Sequence, residues 1–329
     1  MRRVLVTGAT GGLGLAVVAA LAAQGHIVRA TGRRRDVAGR LKAMGAEFVP
    51  ADLNDPATLP ALVEGVDGVI HAAALSSPWG PHADFQRINV DATRHLLAAA
   101  RAAGVRCFVF VSSPSVYARP ADQLDLRETD PINPRPMNAY AATKGEAERA
   151  VLAASNDAMA SVAIRPRAIV GPDDSVLLPR VLRLVRRGRF PLVRGGQALI
   201  ELTDARDAAS ALVRALARAE SLGGQVINIA GGRSMAIRDM VATLAEALAI
   251  PIRFVPVPYA AVAAFAASAE AVCRVLPGRP EPILTPYTLT TLAFSQTFDL
   301  TKAREALGFQ PHFDAFATAL DVARGRHGD

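Results

Sequence analysis

At 329 residues, 51% hydrophobic and 20% charged, the chain has room for one large α/β domain with an appended lobe, and it is too apolar to be disordered. The formal charge is +7. Its arginines are interspersed with acids and only 5% of residues are aromatic, so a nucleic-acid surface is not indicated. Cys107 and Cys273 stand far apart and the six histidines show no ligand spacing, which leaves no disulfide framework and no expected metal.

The first strand, "RVLVTG" (3–8), begins almost at Met1, so no signal peptide is read and a cytoplasmic protein is expected. A helix follows from Leu13 to Gln24, then strands at 26–32, 46–52 and 67–74 and a helix over about 84–103. "RCFVFVSS" (106–113) reads as a strand, Tyr140 to Ala154 as a helix and "SVAIRP" (161–166) as a strand. Apolar strands alternating with helices predict a Rossmann-type, doubly wound parallel sheet with helices on both faces. After Gly171 proline and arginine become frequent, and the alternation resumes only at 207–231. The expected division is a dinucleotide-binding domain from 1–171 plus 207–231, and a smaller C-terminal substrate lobe from 172–206 plus 232–329. The segment 258–277 is apolar nearly all round but is interrupted by Glu270 and Arg274. It reads as a buried helix or the rim of an apolar pocket, with peripheral membrane contact as the lesser reading and no integral span.

"TGATGGLG" places Gly8, Gly11 and Gly14 between a strand and a helix, where glycines allow a sharp turn, close approach to a pyrophosphate and tight helix packing. The helix N-terminus offers free N–H groups to the phosphates, so Thr10, Gly12 and Leu13 join the candidate cofactor contacts. Strand two ends in Thr31 and Gly32, where an NAD site carries an acid, and continues into Arg33 and Arg34, whose planar guanidinium groups suit a 2′-phosphate. NADP(H) is therefore preferred, with NAD(H) possible.

Only three of the 37 basic residues are lysines, and one, Lys144, stands four positions after one of only four tyrosines. A chance Tyr-x-x-x-Lys is expected about 0.04 times in such a chain. On a helix Tyr140 and Lys144 share a face. A neighbouring ammonium favours phenolate, and a tuned tyrosine can exchange a proton with an alcohol oxygen while hydride moves to or from a nicotinamide. "FVSSPSVY" supplies a hydroxyl to hold the substrate oxygen.

With "TGATGGLG", "ADL" (51–53), "VIHAAA" (69–74), "INV" (88–90), "SSPSVY" (112–117), "YAATK" (140–144) and "IRPRAIVGP" (164–172), the chain resembles the extended short-chain dehydrogenase/reductases over nearly its whole length. The resemblance implies Ser113 as the catalytic hydroxyl, Tyr140 as acid/base, and Lys144 as the residue that lowers its pKa and bonds the ribose. It also implies that Asp52 and Leu53 flank the adenine, that Ala72, Ala73 and Ala74 line the dinucleotide, and that Pro166 begins the loop beside the nicotinamide. Asn89 matches a position usually structural. "LLPRVLRLVRRGRFPLVRGGQALIELTDARDAASAL" and "TFDLTKAREALGFQP" are similar to the 3β-hydroxysteroid dehydrogenase branch, and "SSPSV", "YAATK" and "IRPRAIVGPDD" to the bacterial 2-alkyl-3-oxoalkanoate reductases. That implies ketone/secondary-alcohol interconversion on a large hydrophobic substrate, with a homodimer possible.

Ser76, Trp79, Ser115 and Leu178 are the candidate pocket residues, and the apolar stretch 255–294 fits a greasy pocket. Asp207 is expected to cap the helix it begins. Pro114 and Ser115 replace the Asp-Glu pair of dehydratases, which argues against dehydration. A nucleotide-sugar 4-epimerase stays open, because Arg180 or Arg194 could bind a diphosphate. A non-catalytic dinucleotide sensor is disfavoured by the joint presence of Ser113, Tyr140 and Lys144.

Overall fold

The computed structural model describes residues 1–174 and 176–325. Its main sheet comprises β1 (Arg3–Thr7), β2 (Ile27–Thr31), β3 (Glu47–Phe48), β4 (Gly68–His71), β5 (Cys107–Val111), β6 (Ala160–Pro166) and β7 (Val226–Ile229). All pairs are parallel, and the spatial order is β7-β6-β5-β4-β1-β2-β3. Every residue of β5, "CFVFV", is buried, as expected of a strand covered on both faces. The helices Gly12–Ala23 and Ala205–Ala217 pack on one face, and Leu59–Val63, Ala92–Ala102 and Ala139–Ala153 on the other. Strand order reverses between β1 and β4, so the crevice beyond their carboxyl ends is the place such a sheet offers a ligand.

Two local expectations change. β3 is a two-residue edge strand, because beyond Phe48 the chain leaves the sheet. The single helix expected over 84–103 is His82–Phe85, a π-helical turn Gln86–Asp91, and Ala92–Ala102. π-turns commonly mark functional positions, and this one carries Asn89.

The rest of the chain supplies short strands that hydrophobic periodicity does not reveal. Gln123–Leu126, Leu199–Glu201, Ser234–Ala236 and Gln296–Phe298 form a four-stranded sheet, and Arg189–Val193 pairs with Arg253–Val257. The helix Tyr259–Val275 forms within the apolar stretch, but the buried-helix expectation is wrong. Ala266 alone is buried, against Val193, Leu289 and Ala293, while Phe265 and Val272 are each 54% exposed. Alanine is small enough for a shallow seat, and little of the helix perimeter meets a partner. No helix among the described residues is long and apolar enough to cross a membrane.

Candidate active site

At the first turn each glycine answers a different demand. Gly8 has φ +66, and a Cβ there would lie 2.7 Å from the Ala73 nitrogen. A Cβ on Gly14 would stand 2.2 Å from the Gly8 oxygen, and one on Gly12 2.8 Å from the Asp173 oxygen. Gly11 differs, because its nearest neighbour would be 3.5 Å away. It caps the helix Gly12–Ala23 without a side-chain acceptor, so the first-turn N–H groups face outward and are free to meet an anion. Leu13 packs against the core, and Thr10 is buried, its side chain lying beside Gly32.

At the end of β2 the Thr31 hydroxyl is buried without a hydrogen-bond partner among the described residues, where a dinucleotide ribose would lie in such a sheet. Arg33 is exposed and makes no ion pair among the described residues, whereas Arg34 is held by Asp36 at 2.5 Å. The two arginines expected to share a 2′-phosphate are therefore not equivalent. The Asn54 N–H, with its amide and the Arg33 charge assisting, holds the Asp52 carboxyl below its usual value, and Leu53 packs partly buried beside it. The residues present thus fit a dinucleotide: free helix N–H groups, an orphaned hydroxyl and an available guanidinium.

On the other side of the switch point Ala72 N–H donates to the Thr7 carbonyl and Ala73 N–H to the Thr7 hydroxyl, with Ala74 continuing the loop. The sequence reading passed over His71. Its Nδ1 meets the Thr7 hydroxyl at 2.6 Å and its Nε2 the Thr93 hydroxyl at 2.8 Å, and burial lowers its pKa to about 3, so it is neutral. Asn89 accepts from Leu75 N–H at 2.7 Å and donates to the Thr143 hydroxyl at 3.2 Å, tying the loop after β4 to the tyrosine helix.

That helix, Ala139–Ala153, is capped by the Asn138 side chain on Ala141 N–H. Tyr140 is half-buried and opens toward Ser113 and Ser76, whose hydroxyls interact with its phenol. Burial pushes the Tyr140 phenol above its ordinary value, and the two serines oppose that. Lys144 Nζ donates to the Val111 carbonyl oxygen and lies 4.3 Å from the Phe110 ring centroid. Burial brings Lys144 down to about 7, against the opposing field of Glu148.

Glu148 continues the same face. It accepts from the Ser112 hydroxyl at 2.6 Å and binds the Arg165 guanidinium with both oxygens, at 2.8 and 2.5 Å, while Arg165 also donates to the Tyr117 phenol. This buried network locks the helix onto β5 and β6. No sequence signal separates Arg165 from the chain's many other arginines.

Of the candidate pocket residues, Ser76 reaches Tyr140, and Ser115 is buried with an unpartnered hydroxyl while its N–H donates to Ser113 Oγ. Trp79 Nε1 donates to the Arg279 carbonyl at 2.9 Å and so ties the loop after β4 to the C-terminal region. Leu178 sits 4% exposed in the lobe's core with Val170 and Leu182, because its helix turns that apolar face inward. Asp207 is not the helix cap. Asp204 accepts from Arg206 N–H in that role, and Asp207 accepts from His312 and Phe313 N–H groups. Arg180 pairs with Glu281 at 3.1 Å and Arg194 with Asp122 at 2.9 Å, so both arginines considered for a diphosphate are engaged. Tyr287, which the sequence does not single out, lies where both Arg167 and Tyr140 affect its phenol, pushed up to about 12 chiefly by burial. The pocket is therefore more polar than the apolar stretch suggests.

Fold and site together define an NAD(P)-dependent enzyme of the short-chain dehydrogenase/reductase type. Residues 4–230 match the NAD dependent epimerase/dehydratase family, and the chain belongs to that family. It is 33% identical to a 4-hydroxy-2-methyl-3-oxo-4-farnesyl-3,4-dihydroquinoline-1-oxide ketoreductase of Stigmatella aurantiaca, over 98% of both chains. It is 34% identical to a 2-alkyl-3-oxoalkanoate reductase of Stenotrophomonas maltophilia, over 94% of both. Among solved structures, MoeE5 in complex with UDP-glucose and NAD superposes with a TM-score of 0.76 at 25% identity, covering 98% of this chain and 99% of that one.

Proposed function

We propose that the protein is an NADP(H)-dependent reductase/dehydrogenase that interconverts a ketone and a secondary alcohol on a large hydrophobic substrate in the cytoplasm. The observation that carries this reading is the opening of Tyr140 toward two serine hydroxyls, Ser113 and Ser76, at the carboxyl end of the sheet. The two reductase relatives support the reaction class, and the unpaired Arg33 supports the choice of NADP(H). We assign Gly8, Gly11, Gly12 and Gly14, with Thr10 and Leu13, to the pyrophosphate; Arg33 to the 2′-phosphate; and Ala72, Ala73, Ala74 and Pro166 to the nicotinamide half.

The nicotinamide, when bound, supplies or accepts the hydride at the carbinol carbon. Tyr140 gives its phenolic proton to the ketone oxygen, and Ser113 holds that oxygen in place. A phenol held high by burial is protonated at neutral pH, which suits the reductive direction. Oxidation requires the same group as phenolate and therefore a higher pH. Lys144, with a pKa of about 7, can carry or release a proton one turn from Tyr140.

The test follows nicotinamide absorbance with NADPH or NADH against a long-chain 3-oxo acid, a 3-ketosteroid and UDP-glucose, with epimerised sugar detected separately. NADPH oxidation by either apolar ketone is expected. Epimerisation without net oxidation overturns the reading in favour of a nucleotide-sugar 4-epimerase, although the engagement of Arg180 and Arg194 disfavours that substrate.

A further inference from the structure

Thr7 and His71 end β1 and β4 and lie in register at the point where the strand order reverses. The hydrogen bonds around the imidazole allow one direction only. The Thr93 hydroxyl gives its single proton to the Asn89 carbonyl at 2.7 Å, so toward His71 Nε2 it can only accept. Nε2 therefore carries the ring proton. The Thr7 hydroxyl accepts from Ala73 N–H at 3.2 Å and has its own proton left for His71 Nδ1, at 2.6 Å. A second ring proton would leave the Thr7 proton without an acceptor among the described residues, and the Phe108 and Phe110 rings and the Lys144 charge around the imidazole offer a cation nothing.

Both ends of this chain hold the loop after β4. Ala73 is held at one end. At the other, the Asn89 side chain accepts from Leu75 N–H at 2.7 Å and donates to the Leu75 carbonyl at 3.3 Å. The same amide donates to Thr143 at 3.2 Å, on the helix that carries Tyr140. The loop's seat is tight, since a Cβ on Gly8 would lie 2.7 Å from the Ala73 nitrogen and 2.8 Å from the Ala72 carbonyl carbon. Thr7, His71, Asn89, Thr93 and Thr143 are each no more than 2% exposed, so water does not compete for these bonds.

We propose that His71 is a positioning residue for the dinucleotide: in its Nε2–H form it joins Thr7 to Thr93, and so keeps the main chain of Ala72 to Leu75 seated against the glycine turn and in register with the Tyr140 helix. The ring is 1% exposed and acts only through that loop. Its two nitrogens have separate tasks. Nδ1 fixes Ala73 through Thr7, and Nε2 fixes the π-turn through Thr93. The proposal rests on the assignment of Ala72, Ala73 and Ala74 to the nicotinamide half of the cofactor.

NMR of the full-length protein with nitrogen-labelled histidine reads the tautomer, and the spectrum of His71→Gln assigns the signal among the six histidines. A protonated Nε2 and a bare Nδ1 are expected at neutral pH; an Nδ1–H ring or a doubly protonated one overturns the proposal. Fluorescence titration with NADPH and NADH then compares the wild type with His71→Phe, His71→Asn and His71→Gln, each with its melting temperature. His71→Phe leaves two buried hydroxyls unmet and is expected to weaken both dinucleotides alike by about 10- to 30-fold, with kcat at saturating cofactor within about 3-fold. His71→Asn puts a carbonyl oxygen near the Nδ1 position and is expected to recover most of that affinity, His71→Gln less. A lower melting temperature with unchanged dinucleotide affinity, or equal losses in His71→Asn and His71→Phe, overturns the proposal. If His71→Phe does not fold, His71→Asn against His71→Gln decides: equal affinities overturn the proposal, and tighter binding by His71→Asn supports it. The titrations contain no substrate, so a failure of ketone reduction with NADPH bound overturns the functional reading alone, whereas a wild type that binds neither dinucleotide overturns both.

Discussion

Lys144 stands one helical turn beyond Tyr140, yet its Nζ donates to the main-chain carbonyl of Val111 at the end of β5. The amine is thereby held in the crevice, buried between the Phe110 ring and the helix. The groups that face it are this carbonyl, the Phe110 ring, the Glu148 carboxylate and the neutral His71.

Removing the phenol isolates its role. Tyr140→Phe is expected to lower turnover by about 10³-fold or more, a loss typical of general acid catalysis, while cofactor affinity changes little. Steady-state kinetics and a cofactor titration check this, and strong residual activity would sink the mechanism.

The amine's depressed pKa makes a stability prediction. A lysine whose folded pKa is about 7, against an ordinary 10.5, carries a penalty that is full below pH 7 and disappears as pH rises through 10.5. Lys144→Met is therefore expected to abolish activity and yet raise unfolding free energy by roughly 1–3 kcal/mol at pH 6, the gain shrinking toward pH 10. Urea denaturation at the two pH values reads it; a gain that grows with pH would contradict the assignment.

The buried pair of Arg165 and Glu148 leaves no room for a half-deletion. Arg165→Met is expected to cost about 3–5 kcal/mol, because an uncompensated carboxylate stays in the core, and Arg165→Met with Glu148→Leu to recover much of it. A double-mutant cycle by denaturant measures the coupling.

Glycine substitutions should separate fold from cofactor. Gly14→Ala meets the Gly8 carbonyl and is expected to destabilise the protein, whereas Gly11→Ala has space and is expected to weaken the dinucleotide with little change in Tm. Thermal melts with and without NADPH distinguish the two.

The unequal arginines after β2 predict unequal cofactor effects. Arg33→Ala should weaken NADPH by about 10- to 100-fold and leave NADH nearly unchanged. Arg34→Ala, whose guanidinium is already held by Asp36, should do much less. Fluorescence titration with both cofactors decides, and equal loss of both would remove the NADP assignment.

The alternation of apolar runs with periodic helices was enough to read the parallel sheet from the sequence, because a strand buried on both faces must be apolar throughout. The glycine loop and the spacing of Tyr140 and Lys144 were legible for a similar reason: each is local, set by one turn or one helical repeat. Tertiary structure decided what depends on distant partners. It turned Lys144 toward Val111, set Leu178 into a core, gave the helix cap to Asp204 and left Tyr259–Val275 largely in the open. It also separated Arg165 from Arg167, two residues apart in one strand end, by giving only the first a counterion. Pairing of a buried charge is a property of what packs against it, and the residues that pack here come from helices and strands far away in the chain.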